Sequence, residues 1–129
     1  MRYFLLLFFA TNSFALNWEG VDFNESLISY VDTDSIQKSK GMIYYWNLFD
    51  YKKKITLGKV SFRSTSMLLM TDCELDKSKT LRALRYEKHM AKGNVVSDRN
   101  YKKSQSWTYN PPGSIGAQTN AYVCSLIYD

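Results

Sequence analysis

Residues 42–51 read Met-Ile-Tyr-Tyr-Trp-Asn-Leu-Phe-Asp-Tyr. Aromatic and β-branched side chains suit a pleated surface, so this run is expected to be a strand. Alternation places Met42, Tyr44, Trp46 and Leu48 on one face and Ile43, Tyr45, Asn47 and Phe49 on the other. Both sets are largely apolar, which predicts a central strand covered on each side. Lys52, Lys53 and Lys54 follow directly. They are expected to end the run and face water.

Working outward, residues 61–75 predict a second long strand, strongest at 67–75, with Leu69, Thr71, Cys73 and Leu75 on one face. A polar turn at 76–79 suggests a hairpin into 80–88. That segment is ambiguous: Leu81, Leu84 and Arg85 fit a helix, whereas Leu84, Tyr86 and the short preceding turn fit a strand. The strand is chosen because a hairpin is the economical connection. Upstream, residues 27–32 are β-rich and run into Thr33-Asp34-Ser35, which carries turn and capping chemistry, with Ile36 as an apolar plug. Residues 38–41 form a polar connection. Downstream, Lys92-Gly93-Asn94 marks a turn before Val95-Val96, and residues 98–106, polar and without apolar period, predict a loop. Residues 107–109 fit a short edge strand, broken by Pro111-Pro112-Gly113. Ser114 is a good helix N-cap. Ala117, Ala121, Cys124 and Tyr128 then fall on one helical stripe.

The N-terminus has the three parts of a signal peptide. Met1-Arg2-Tyr3 is a short basic start, residues 4–10 (FLLLFFA) are apolar, and Ser13-Phe14-Ala15 is a small-x-small site. Cleavage is expected after Ala15, leaving residues 16–129 as one domain without internal repeats. The apolar run is shorter than the ~20 residues that span a bilayer, so no transmembrane segment is expected in the mature chain. No cysteine follows the expected cut, so the chain is expected in the periplasm or secreted, not lipid-anchored. Export carries Cys73 and Cys124 into an oxidising compartment, where a disulfide is the default. Closing so long a loop is worth about 3–4 kcal/mol in the chain-entropy treatment. With Cys73 on a strand face and Cys124 on the inner stripe of the last helix, the bond would tie helix to sheet. The expected fold class is α+β: an antiparallel β-sheet with a C-terminal α-helix packed on one face and tethered by a disulfide.

Seventeen basic against twelve acidic residues give a formal net charge of +5. That suits anionic partners, yet no nucleic-acid-binding signature accompanies it, and nucleic acid is set aside as a partner. Asp32 and Asp34 fall short of the six or more oxygens a Ca²⁺ site takes, and read more simply as a capped turn. His89 is the sole histidine. There is no GxSxG, HExxH or P-loop, and Glu74 and Asp76 are expected to be solvated charges on one side of a strand. The chain therefore reads as a non-enzyme without cofactor or metal. Trp46 and Trp107 are assigned to packing, while Tyr45 and Tyr51, beside Asn47 and the lysine run, are expected to be more exposed. Lys52, Lys53 and Lys54 form the clearest charge cluster, which Arg82, Arg85 and Lys88 would extend if their strand lies close. Such a cluster either guards a strand from edge-to-edge pairing or attracts acidic protein segments or sulfated sugars.

Taken in order, Trp18, the segment Tyr30-Val31-Asp32-Thr33-Asp34-Ser35-Ile36, Trp46 with Asp50-Tyr51, Asp72-Cys73, residues 82–86, Gly93 with Val95-Val96, Trp107, Pro112-Gly113-Ser114-Ile115-Gly116 and Cys124 resemble the surface-adhesin protein E family of small exported bacterial proteins. The resemblance covers nearly all of the mature chain. It implies an antiparallel sheet with a disulfide-tethered C-terminal helix, and attachment to a protein partner, specifically a host extracellular-matrix protein. The competing expectation is a soluble periplasmic accessory protein, an inhibitor or scaffold of another envelope component.

Overall fold

Residues 16–101 and 106–128 are described by the computed structural model. The predicted central strand becomes the longest element, β4 (Met42–Leu57), flanked by β2 (Leu27–Asp32) and β5 (Val60–Asp72). The sheet continues outward through β1 (Trp18–Phe23) beyond β2, and through β6 (Lys77–Lys88) and β7 (Lys92–Asn100) beyond β5. Two short strands sit off this path: β3 (Gln37–Ser39) pairs with β4, and β8 (Thr108–Tyr109) with β6. All pairings are antiparallel. One helix, α1 (Ile115–Tyr128), closes the fold. The predicted α+β class, with helix on sheet and a Cys73–Cys124 disulfide between them, is what the chain adopts.

Local chemistry explains the connections. Asp32 ends β2 and caps the short 3-10 turn Thr33–Ser35, its carboxylate accepting from the Asp34 amide at 3.1 Å. Lys40 and Gly41, both at positive φ, make a two-residue hairpin between β3 and β4 where a polar connection was expected. Asp72 Oδ1 accepts from the amides of Glu74 and Leu75 and so closes the β5–β6 turn. That turn lies three residues earlier than predicted, because an aspartate folding back on its own backbone ends a strand more decisively than polarity alone. Leu75 is consequently an exposed turn residue, not part of a strand face. Residues 80–88 are strand, lying within β6.

Three further expectations need correction. The lysine run does not end β4. The pairing passes from Asp50↔Ser64 to Ile55↔Phe62, so residues 51–54 form a bulge inside the strand, and the reversal comes at Gly58. Residues 98–100 are strand and not loop: an edge strand needs no apolar period, and Asp98 is fixed by a two-bond ion pair with Arg82 across the ladder. Residues 102–105 of that predicted loop lie outside the described residues, as does the predicted signal peptide. β1, to which the sequence reading assigned no element, is the other edge.

The helix supplies the third correction. Its N-terminus is capped as predicted, Ser114 Oγ accepting from the Ala117 amide at 3.1 Å. Its inner face, however, is formed by Thr119, Asn120 and Val123, all buried, while Ala121 faces solvent and Cys124 sits half-buried at the margin. The apolar cluster between helix and sheet is small: Val31, Ile43, Tyr45 and Val123, with Val21, Ile36, Leu69, Tyr122 and Ile127 packed against it, while Leu48 and Phe62 are buried elsewhere on the sheet. Around it runs a hydrogen-bonded layer. Asn120 Oδ1 accepts from the Tyr45 hydroxyl at 2.6 Å and from Thr71 Oγ1 at 3.2 Å, and Asn120 Nδ2 donates to Ser78 Oγ at 2.9 Å. Ser78 and Thr71 meet at 3.0 Å, which closes a ring. Ser29 joins Thr119 at 3.0 Å and accepts from Asn47 Nδ2 at 2.9 Å.

The opposite face of the sheet is closed by the turn His89–Ala91. Met90 and Ala91 have φ of 61° and 58°, a left-handed geometry that costs a residue with a Cβ roughly 1–2 kcal/mol. Asp50 and Ser64 hold it. Asp50 Oδ1 accepts from the Met90 amide at 2.9 Å, and Ser64 Oγ accepts from the Ala91 amide at 2.9 Å while donating to the Lys88 carbonyl. Replacing Asp50 by alanine should therefore lower the unfolding free energy by about 1.5–3 kcal/mol, the usual worth of bonds to a charged acceptor. Urea unfolding measures this, and a loss under ~0.5 kcal/mol would show that water substitutes for the carboxylate.

Candidate binding surface

β4 distributes the predicted site residues according to its pleat. Ile43, Tyr45 and Asn47 point toward the helix. Tyr45, expected to be exposed, is 1% exposed. The adjacent Asn47, polar in sequence, does not mark solvent: it is itself buried and donates to Ser29 and to the Tyr30 carbonyl. Burial pushes the Tyr45 hydroxyl well above its ordinary pKa of ~10. The native state thus keeps a proton that the unfolded chain releases. Stability is present in full below pH ~10 and falls as pH rises above it, by at most ~1.4 kcal/mol per unit. Unfolding free energies measured between pH 9 and 11 should fall less steeply for Tyr45→Phe than for the parent. Equal slopes would mean that this hydroxyl ionises freely in the folded protein.

Further along β4, Tyr51 is half-buried and Lys52, Lys53 and Lys54 are exposed on the bulge. Tyr51 is held on three sides: its ring meets Phe49 and Phe62 edge-on, with centroids 6.5 and 5.8 Å away, and its hydroxyl donates to Thr65 at 3.3 Å. The Arg85 guanidinium lies over the Phe62 ring, 4.7 Å from its centroid. The structure thus joins Arg85 to Tyr51 through Phe62. Arg82 is not part of this group. Three residues from Arg85 along an unbroken stretch of β6, it projects from the opposite face. There it is committed to Asp98, whose carboxyl the guanidinium hydrogen bonds hold below the usual carboxylate range, while the same bonds raise the pKa of Arg82.

The remaining candidates serve local structure. Asp32 accepts from the amides of Asn17 and Asp34. His89 Nδ1 meets Asp50 Oδ1 at 3.1 Å, an acceptor already engaged by Met90. Glu74 and Asp76 fall in the β5–β6 turn and not along a strand. Trp46 lines a shallow apolar groove with Trp18, Leu84 and Tyr86. Trp107 is half-buried, with the ammonium groups of Lys77 and Lys79 at 4.7 and 4.8 Å from its ring centroid.

The topology adds residues that sequence reasoning did not single out. The β1–β2 turn, the β4–β5 hairpin and the β6–β7 turn all lie at one end of the sheet. Lys59, Lys88 and Lys92 are exposed there, with Phe23 at 70% and Leu57 at 51% exposure. Lys52 Nζ stands 5.9 Å from the Phe23 ring centroid. The usable signal for Lys59 was Gly58, the natural reversal point of the hairpin.

A rigid antiparallel sheet, one tethered helix and a basic, aromatic end define a small disulfide-stapled α+β domain with a charged surface available for contact. The sequence profile of surface-adhesin protein E matches residues 18–125, and the chain belongs to that family. No curated protein matches it in sequence. Among solved structures, Haemophilus influenzae protein E in its second crystal form superposes with a TM-score of 0.63 at 14% identity, covering 82% of this chain and 92% of that one. Another structure of the Haemophilus influenzae protein gives 0.61 at 14% identity over 85% and 95%. Protein E from non-typeable Haemophilus influenzae gives 0.62 at 12% identity over 89% and 80%. At such identities the likeness is one of fold. Among the described residues no helix is long and apolar enough to cross a membrane.

Proposed function

We propose that this protein is an exported, non-enzymatic binding module that attaches to host extracellular-matrix proteins through the basic end of its sheet. Family membership supports attachment. The observation that carries the choice of surface is the placement of Lys52, Lys53 and Lys54 on a bulge beside the immobilised Tyr51, in a long strand that pairs with β2 up to Tyr51 and with β5 before and after the bulge. A partner meeting this surface finds positive charge already in place and an aromatic ring that loses little freedom on contact.

The test is saturable binding of the purified protein to immobilised matrix proteins at ~10 μM, where modest interfaces register, with Lys52→Ala/Lys53→Ala/Lys54→Ala as the comparison. Binding that the triple substitution weakens supports the reading, and no saturable binding overturns it. Antibody labelling of unbroken cells is the companion measurement. Labelling only after permeabilisation would place the protein with a partner inside the envelope instead.

A further inference from the structure

Between the β1–β2 turn and the bulge of β4 lies an open cleft of 340 Å³, lined by Glu25, Ser26, Tyr51 and the three lysines. The volume is at the lower end for small-molecule sites, ~300–1,000 Å³. The cleft is built and not merely a gap between loops: the Lys52 amide donates to the Ser26 carbonyl at 2.8 Å, which ties its two walls together. Asn24 Oδ1 accepts from the amides of Ser26 and Leu27 and fixes the turn that forms one wall. Among the described residues none of the three lysines forms an ion pair.

We propose that this cleft binds a sulfated polysaccharide chain. The inference rests on the reading of this end as the binding face and adds the chemical class of the ligand. Ammonium groups act as point charges toward sulfate oxygens, and three together in a concave site raise the local concentration of an anionic ligand. Glu25 distinguishes among anions. A carboxylate inside the cleft repels a ligand that is only charge, such as a phospholipid surface or a run of acidic side chains. It accepts hydrogen bonds from a ligand that carries hydroxyls between its charges, as Ser26 also does. The Tyr51 ring, already fixed by Phe49 and Phe62, offers an apolar wall to a sugar ring. Concavity likewise fits a strand of polymer better than a flat bilayer. Lys59, Lys88 and Lys92 at the same end of the sheet extend the positive field beyond the cleft, which suits a chain longer than the cleft holds.

Titration calorimetry of the whole exported protein with a size-defined heparin oligosaccharide, and with its desulfated form, tests this. The expected result is saturable binding of the sulfated chain that is at least ~10-fold weaker after desulfation and in the triple lysine-to-alanine variant, and that weakens as salt is added. Lys77→Ala/Lys79→Ala, which removes the basic pair beside Trp107, should leave it unchanged. Circular dichroism checks that both variants fold. Equal binding of the desulfated chain, or equal loss in the Lys77/Lys79 variant, overturns the inference, as does displacement of the oligosaccharide by phosphatidylglycerol vesicles. Matrix protein stripped enzymatically of its polysaccharide separates the two readings. If it binds in a lysine-dependent way while heparin does not, the ligand class is wrong and protein attachment stands. If heparin binds and the stripped protein does not, the cleft is upheld and protein attachment fails.

Discussion

Asn120→Ala is expected to lower the unfolding free energy by about 3–5 kcal/mol, with a reduced urea midpoint and an unchanged slope. One side chain of helix α1 ends three hydrogen bonds from the sheet: two accepted, from Tyr45 and Thr71, and one donated to Ser78. Tyr45 and Thr71 are at 1% and 0% exposure, so both hydroxyls rely on Asn120 and not on bulk solvent in the folded protein. A buried polar group left without its partner costs about 1–3 kcal/mol, more than a mutual hydrogen bond contributes net. That asymmetry makes a second measurement decisive. Asn120→Ala combined with Tyr45→Phe removes both ends of the shortest bond, so the pair should cost less than the sum of its parts. Additive losses, or a single loss below ~1 kcal/mol, would mean that the ring is hydrated in solution.

The same residue shows where the sequence could be read and where it could not. The helix itself was legible from Pro111-Pro112-Gly113 and the cap at Ser114. Its inner face was not, because apolar periodicity finds a helix face only when that face is apolar. Here the buried positions are Thr119, Asn120 and Val123, and a stripe of Ala117, Ala121 and Cys124 looked more hydrophobic than the true one. Tyr45 escapes a local reading for the matching reason: Asn47, its neighbour on the same strand face, looks solvent-facing by composition but is buried and bonded to Ser29 and the Tyr30 carbonyl. β4, β5 and the 80–88 strand were legible because long aromatic and β-branched runs have few alternatives. The edges were harder. β1 sets Trp18, Val21 and Phe23 among polar residues without strict alternation, the end of β7 is polar, and their strand conformation comes from ladder bonds and pairs such as Arg82–Asp98, partners that no local window contains. At the candidate site the lysine run and Tyr51 were visible. Their cleft was not, since a bulge is a mismatch between two strands, and its facing wall comes from a turn some 25 residues earlier.

Removing the disulfide should cost about 3–4 kcal/mol, whether by reduction or by Cys73→Ala/Cys124→Ala. The bond joins residues 51 apart in sequence, from the start of the β5–β6 turn to the last part of α1. Its weight follows from how little else holds the helix. The inner face of α1 buries one apolar side chain deeply, Val123, beside two polar ones whose bonds contribute only about 1 kcal/mol each. In the unfolded chain the cross-link removes loop conformations that would otherwise compete with docking. Without it, the helix must find the sheet through the Asn120 ring, the Ser29–Thr119 bond, Val123 and the partly buried Tyr122 and Ile127. Undocking would uncover Val31, Ile43 and Tyr45, so the loss is expected as one cooperative transition at a lower urea midpoint and not as helix fraying. Hydrogen exchange separates these outcomes. With the bond broken, amides of α1 and of central β4 should exchange faster together. Faster exchange confined to α1 would show that the sheet stands without its helix, and an unchanged midpoint would show that the tether adds nothing to the polar ring.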